Sequence, residues 1–181
     1  DTYSAMRDVQ SGDYVIHLVN GEAIVGASRV GGRASLDFEG IADTAWAGSR
    51  AYLIRLAEHR RLSHPLHRDE FLGNPEYGEA LRSIRERYTN LAYSANLTLL
   101  EGRYLTPLPL ELVILLDKAS RRALNEGLPL IEADQIMDVP SATEHQEADD
   151  ITSDTEDVVI VNERHQRVWL YAPGRGAGLW D

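Results

Sequence analysis

The alternation of apolar and polar positions is clearest over residues 11–31, where it predicts a β-hairpin. Strands are expected at residues 14–19 and 22–30, joined by Asn20-Gly21, because a tight hairpin turn needs positive φ at both central positions. Successive residues of a strand face opposite sides, which divides the first strand into Tyr14, Ile16 and Leu18 against Val15, His17 and Val19. Both sets are largely apolar, so we expect the hairpin to be covered on both faces, inside a barrel or sandwich.

Weaker patterns predict the remaining extended segments and loops. Residues 50–59 alternate well enough for a third strand, whereas the polar stretch 60–71, interrupted by Pro65, is expected to be a loop. Residues 1–10 and 33–48 are also expected to be loops, and residues 93–100 a short strand or an extended loop.

Two helices are predicted from their start signals and their apolar stripes. Asn74-Pro75 is typical of a helix N-terminus, and the helix should run to about Tyr88. Thr106-Pro107 repeats the signal before a helix over residues 108–125, which should end at 125–127. The expected buried residues are Leu81, Ile84 and Tyr88 in the first helix, and Leu112, Leu115, Leu116 and Ala119 in the second.

Charge is distributed unevenly along the 181 residues. Residues 132–181 hold 12 Asp/Glu and 3 Arg, whereas residues 1–131 hold 17 acidic and 15 basic residues. The body is therefore close to neutral and has room for a basic face. Lys118 is the one lysine of the chain. The other 17 basic residues are arginines, which suit bidentate phosphate or guanine contacts. The simpler explanation is a GC-rich genome that encodes Arg in place of Lys.

Composition also bounds the class of protein. The sequence contains no cysteine, which excludes disulfides, thiolate metal sites and a Cys nucleophile. It has no apolar run long enough to span a membrane and no signal-peptide pattern, so we expect a cytoplasmic protein. Because the sequence does not begin with Met, we expect it to be a piece of a longer chain. Residues 132–157 contain 10 acidic residues and no Lys or Arg, which predicts an acidic linker.

Motifs for catalysis or metal binding are weak. His59, His64 and His67 are close in sequence, but their spacing matches no compact zinc pattern and favours a solvated loop. No Gly-x-Ser-x-Gly elbow is present, and Gly102 and the Gly174-Arg-Gly176 run lack the lysine of a phosphate loop. We therefore predict no catalytic residues, no metal and no cofactor.

Three stretches resemble a known family. They are Tyr3-Ser-Ala-Met6, the Ser-Gly-Asp turn with its hairpin at 11–31, and Glu101-Gly-Arg-Tyr-Leu-Thr-Pro107. Together they resemble PUA-like β-barrels, and most of all the EVE-type domains of modification-dependent (type IV) restriction enzymes. The resemblance touches most of residues 1–125 and implies an α+β fold, a mostly antiparallel β-barrel with flanking helices. In that family a first strand would precede residue 1.

The resemblance also implies a domain organisation. Residues 1–131 would be the PUA-like, EVE-type domain that binds a modified base, and residues 132–157 the linker. Residues 158–161 and 167–171 are strand-like, so the tail 158–181 would either start a second domain or supply the missing strand of the first.

By the same resemblance, the chain would recognise 5-methyl- or 5-hydroxymethylcytosine in duplex DNA. Base flipping would move the base into a pocket where aromatic rings stack on it and polar groups bind its edge. The implied pocket residues are Tyr3, Ser4, Met6, His17, Ser28, Trp46 and Tyr104. The implied contacts to the DNA backbone are Arg29, Arg33, Arg50 and Arg103.

In such a defence system, the nuclease or NTPase would be another domain or subunit. Two alternatives stay open on the residues alone. One is a PUA-like module that binds RNA, and the other is a regulatory domain that binds a protein partner and no nucleic acid.

Overall fold

The computed structural model describes residues 4–40, 42–43, 47–100, 103–130 and 166–172, and it shows a mixed α+β fold. The strands of these ranges are β1 Tyr14–Val19, β2 Ala23–Val30, β3 Ser35–Phe38, β4 Ala51–Leu53, β5 Leu56–His67, β6 Leu105–Leu108 and β7 Val168–Tyr171. The helices are α1 Arg68–Phe71, α2 Gly78–Arg87 and α3 Leu110–Leu124, with 3₁₀ turns at Ser4–Asp8 and Pro75–Tyr77.

Five strands form one mostly antiparallel sheet in the order β5-β2-β1-β7-β6. β1 pairs antiparallel with β2 and parallel with β7, and β7 pairs antiparallel with β6. Strands β3 and β4 form a separate two-stranded sheet. In the described part of the chain, β5 and β6 are edges that do not pair with each other, so the expected closed barrel is wrong and the sheet is open.

The β1–β2 hairpin agrees with its prediction. Asn20 and Gly21 have φ of 54° and 67°, as the tight turn requires. The side chains of the β1 strand divide between two apolar clusters, one on each face of the sheet. Ile16 and Leu18 join the larger cluster with the helices, and Val15 joins a smaller one with Trp169. The hairpin is therefore covered on both faces, as expected.

The two longer helices pack their predicted stripes against the sheet. Leu81 and Ile84 of α2 are buried, and Tyr88, which follows its last turn, is 8% exposed. The predicted stripe of α3 is buried at Leu112, Leu115, Leu116 and Ala119. Both helices contribute to the cluster that contains Ile16, so they lie on the face of the sheet opposite Val15 and His17.

Two predicted helix starts have different outcomes. Asn74 accepts a hydrogen bond from the backbone N–H of Glu76, so it caps a helical segment as predicted, although the first turn is 3₁₀. The signal at Thr106-Pro107 was misleading, because Leu105–Leu108 is a strand and α3 begins at Leu110 after Pro109. β7 supplies a sheet partner for this segment, which its local sequence does not indicate.

The stretch expected to be a loop after residue 59 is the largest correction. Residues 60–67 continue β5, and α1 follows directly. Most of β5 is exposed, and only Leu62 and Leu66 are buried, because β5 is an edge strand with little contact to the core. An edge strand also tolerates Pro65, since one side of its backbone needs no partner.

Smaller differences concern the neighbouring segments. The predicted third strand is interrupted, with Ala51–Leu53 pairing to β3 and the next strand starting at Leu56. Ser35–Phe38, predicted to be part of a loop, forms β3. Tyr93 and Leu99 form an isolated antiparallel bridge, within the range given for residues 93–100.

Asp13, in the Gly-Asp turn before β1, is hydrogen-bonded to β7 and to the residue that precedes it. Asp13 is 4% exposed, and its carboxylate accepts hydrogen bonds from the Trp169 indole, the Gln10 backbone and the Arg167 backbone. Residues on both sides of 131–165 are thus joined in one sheet. The predicted linker 132–157, the strand-like residues 158–161 and the end of the tail from residue 173 lie outside the described residues.

Candidate functional site

Two predicted pocket residues lie in a short chain of hydrogen bonds. The His17 Nε2 atom is 2.8 Å from the Ser28 hydroxyl oxygen, and that oxygen is 2.9 Å from Nδ1 of His59. A hydroxyl group donates one hydrogen bond and accepts others, so Ser28 donates to one imidazole while it accepts from the other. The hydrogen bonds can therefore run from His17 to His59 or from His59 to His17. Either direction determines the tautomer of both rings.

Strand register positions His17 between its neighbours. It stands opposite Gly26 on β2 and opposite Tyr171 on β7. The rings of His17 and Tyr171 meet edge to face, with centroids 6.4 Å apart. Because Gly26 has no side chain, that side of His17 is open to the ring of His59, whose centroid is 5.2 Å away.

A β-bulge in β5 brings His59 to this place. The flanking register pairs are Ala27 with Arg60 and Arg29 with Ala57. Between these pairs β2 has one residue, Ser28, whereas β5 has two, Glu58 and His59. Glu58 has a φ of 49°, a conformation that costs energy in residues with a side chain. Bulges commonly redirect a side chain next to a functional site, and strained residues concentrate at such sites.

Gly26 permits the close approach of β5. A Cβ atom at this position would lie 2.3 Å from the carbonyl oxygen of Arg60, well inside van der Waals contact. Any larger residue would push the bulged segment away from β2. The contact between Ser28 and His59 thus depends on the absence of a side chain at Gly26.

The charge state of the inner histidine is set by its surroundings. Burial and, to a lesser extent, the neighbouring His59 together lower the pKa of His17 from 6.5 to about 4. His17 is therefore neutral at physiological pH. A neutral imidazole has one donor and one acceptor nitrogen, which the chain through Ser28 requires.

The three members differ in exposure. Ser28 is 2% exposed, His17 is half-buried and His59 is exposed. Among the described residues, nothing forms a hydrogen bond with Nε2 of His59, so this atom is available to a ligand. The buried Ser28 hydroxyl holds the two rings in position, and the arrangement suits hydrogen-bond recognition better than attack by the serine.

Of the other five predicted pocket residues, the structure describes the side chains of Met6 and Tyr104. Met6 packs against the smaller cluster, on the same face of the sheet as His17. Tyr104 precedes β6 and accepts a backbone hydrogen bond from Ala172, next to Tyr171. Tyr3 and Trp46 lie outside the described residues, and for Ser4 the description covers the backbone alone.

The four predicted arginines do not form one rim. Arg29 is near the site and lies 3.9 Å from Glu58. Arg103 bonds to Asn90 and precedes β6, at the edge of the sheet opposite β5. At about 4.8 Å between strands, the two edges are about 19 Å apart. Arg33 and Arg50 are both exposed.

Basic residues are instead concentrated along β5, the edge strand that contains His59. Exposed arginines lie in or beside β5 at Arg55, Arg60, Arg61 and Arg68. Glu58 is the one acidic residue over 55–68. This concentration of positive charge contrasts with the near neutrality of residues 1–131, and it offers phosphate contacts next to His59.

The other histidines of this strand have separate neighbours. The backbone N–H and hydroxyl of Ser63 donate to Glu126, and His64 Nδ1 is 3.4 Å from the same hydroxyl. The Ser63 hydroxyl, and then its backbone N–H, lowers the pKa of Glu126. Within the described ranges, no three histidine or carboxylate side chains are grouped to hold a metal ion.

Neither His59 nor Tyr171 was predicted to belong to the base-binding pocket. His59 was predicted to end the strand at residues 50–59 and was considered only as one of three clustered histidines, whereas the bulge directs it to Ser28. Tyr171 is adjacent to His17 through a parallel pairing across 154 positions of sequence, which no local pattern reveals.

No family model, curated protein or solved structure matches the chain. In the part of the chain that the structure describes, none of the helices has the length and hydrophobicity needed to cross a membrane.

Proposed function

We propose that this chain is a DNA-binding specificity module of the PUA-like, EVE type, which recognises 5-methyl- or 5-hydroxymethylcytosine in duplex DNA. The observation that supports this most is the hydrogen-bonded chain of His17, Ser28 and His59 beside an exposed basic strand. The module would direct a modification-dependent restriction system whose nuclease or NTPase is another domain or subunit.

The chemistry of the site matches what a flipped cytosine presents. The Watson–Crick edge of cytosine combines a donor amino group with acceptor atoms, and imidazole nitrogens can serve as donors or as acceptors of hydrogen bonds. His59 would contact the base through Nε2, while Ser28 and His17 fix its tautomer. Tyr171, Tyr3 and Trp46 are the candidates for stacking, because extracting a base costs a few kcal/mol that stacking must offset.

Backbone contacts would come mainly from β5 and its flanks. Arg29, Arg55, Arg60 and Arg61 lie in or beside the two strands at the edge of the sheet that contains His59. These contacts provide affinity without sequence information, whereas the base contact provides discrimination. Arg103, at the other edge, would contribute less than the resemblance implies.

The test is binding to labelled duplexes that differ at one position: cytosine, 5-methylcytosine, 5-hydroxymethylcytosine or N6-methyladenine. We expect one modified cytosine to bind tightest. His59→Ala and Trp46→Ala should each reduce that preference by about tenfold, as expected for the loss of one base contact. His64→Ala, on the same strand and bonded elsewhere, is the matched control and should bind as wild type does.

A salt titration separates the two kinds of contact. Arg60→Gln with Arg61→Gln should weaken all four duplexes alike and reduce the slope of log K against log salt by about 2. Equal and weak binding of all duplexes by the wild type would refute the proposal. Tighter binding of single-stranded RNA would favour the RNA alternative instead.

A further inference from the structure

A cleft on the helical side of the sheet has no role in the site above. Its volume is about 300 Å³, and it is lined by Arg82, Arg85 and Glu86 of α2 and by Ala95. α2 buries Leu81 and Ile84 in the larger cluster, on the face opposite His17. Anything that binds in this cleft would therefore be separate from the base-recognition site.

The two arginines of the cleft lack ion-pair partners among the described residues. NH1 of Arg85 donates to the Tyr88 carbonyl at 2.9 Å, but its Nε is buried and has no hydrogen-bond acceptor within the described part of the chain. A buried charged donor without a partner is unfavourable. The guanidinium groups of Arg82 and Arg85 both line the cleft, so an anion bound there would offset the positive charge of both side chains.

Both walls of the cleft are fixed by the fold. The Arg82 guanidinium lies over Gly78, one turn earlier, where the missing side chain leaves room for it. The opposite wall is a tight loop in which the Ser94 backbone N–H donates to Thr98 at 2.8 Å and the two hydroxyl groups are 2.7 Å apart. Ala95 lies in this loop and lines the cleft together with Arg82, Arg85 and Glu86 of α2.

From this geometry we infer that the cleft binds the phosphate group of a small hydroxylated ligand, of the class of sugar phosphates. Paired guanidinium groups are suited to bidentate contacts with phosphate oxygens. The Glu86 carboxylate repels a bare anion but accepts hydrogen bonds from hydroxyl groups next to the phosphate. A sugar phosphate satisfies both requirements, and inorganic phosphate satisfies only the first.

The experiment follows ligand binding by NMR, through the arginine Nε–H signals of the ¹⁵N-labelled chain. Inorganic phosphate, ribose 5-phosphate and ribose are titrated separately at constant ionic strength. We expect saturable shifts of the Arg85 Nε–H signal with both phosphates, tighter binding of ribose 5-phosphate, and no binding of ribose. Arg82→Gln should weaken the binding of both inorganic phosphate and ribose 5-phosphate by at least about tenfold, which corresponds to the loss of a charged hydrogen bond.

The acidic residue gives a test of opposite sign. Glu86→Gln should strengthen binding of inorganic phosphate, because it removes a like charge, and should reduce the advantage of ribose 5-phosphate over phosphate. Arg121→Gln, an exposed arginine of α3 paired with Asp117, is the matched control and should leave both affinities unchanged. No saturable phosphate binding by the wild type, or equal affinities in wild type and Arg82→Gln, would overturn the inference.

Discussion

Replacing Asp13 by alanine should come close to unfolding the protein. The carboxylate accepts hydrogen bonds of 2.8 Å from the Trp169 indole, 3.0 Å from the Gln10 backbone and 3.2 Å from the Arg167 backbone. Hydrogen bonds to charged groups contribute about 1.5–3 kcal/mol each, and the buried indole would lose its partner. Such losses are not additive, so we expect a decrease of about 4 kcal/mol in the free energy of unfolding.

That decrease is large compared with the 5–15 kcal/mol that is typical of folded domains. Urea unfolding, monitored by circular dichroism and tryptophan fluorescence, measures it directly. Asp8→Ala replaces an exposed aspartate in the preceding 3₁₀ turn and should change stability by less than about 0.5 kcal/mol. If the free energy of unfolding of Asp13→Ala stays within about 1 kcal/mol of the wild-type value, Asp13 does not hold β7 to the turn before β1.

Two further predictions concern the site. Gly26→Ala should destabilise the chain by about 2–3 kcal/mol, because its Cβ would collide with the Arg60 carbonyl. Gly32→Ala, which would meet nothing within 4 Å, should be nearly neutral, and equal thermal stabilities of the two variants would contradict this steric argument. The pKa of His17 is lowered from 6.5 to about 4, so the unfolded chain binds the extra proton between these values and stability should fall as pH decreases from 6.5 to 4. The decrease amounts to about 3 kcal/mol, and unfolding curves of His17→Gln should lack it while those of His67→Gln keep it.

Local signals sufficed for parts of the fold in which neighbours in sequence are also neighbours in space. The β1–β2 hairpin was predictable because Asn20-Gly21 specifies the turn and the alternation specifies the faces. The interior of α3 was predictable because its apolar stripe repeats with the helical period. The open sheet was not predictable from local signals, because closure of a barrel depends on whether the edge strands β5 and β6 pair with each other.

The errors arise where distant partners decide the structure. β5 is extended because β2 pairs with it, and its exposed side chains carry no apolar alternation that would reveal a strand. Leu105–Leu108 is a strand because β7 lies beside it, although Thr106-Pro107 resembles a helix start. His17 and Ser28 were predicted as pocket residues from the sequence, whereas His59 contacts Ser28 through a bulge that no sequence signal indicated.

The position of β7 has a consequence for biosynthesis. In the described sheet β6 pairs only with β7, and β7 fills the place between β6 and β1. A ribosome therefore releases the hairpin and α3 well before residues 168–171 emerge, and until then a nascent chain leaves one side of β1 unpaired. The parallel contact of β1 with β7 joins residues 154 positions apart in sequence, which is the kind of long-range pairing that slows folding. Translation of β7 is thus the event that lets the described five-stranded sheet assemble.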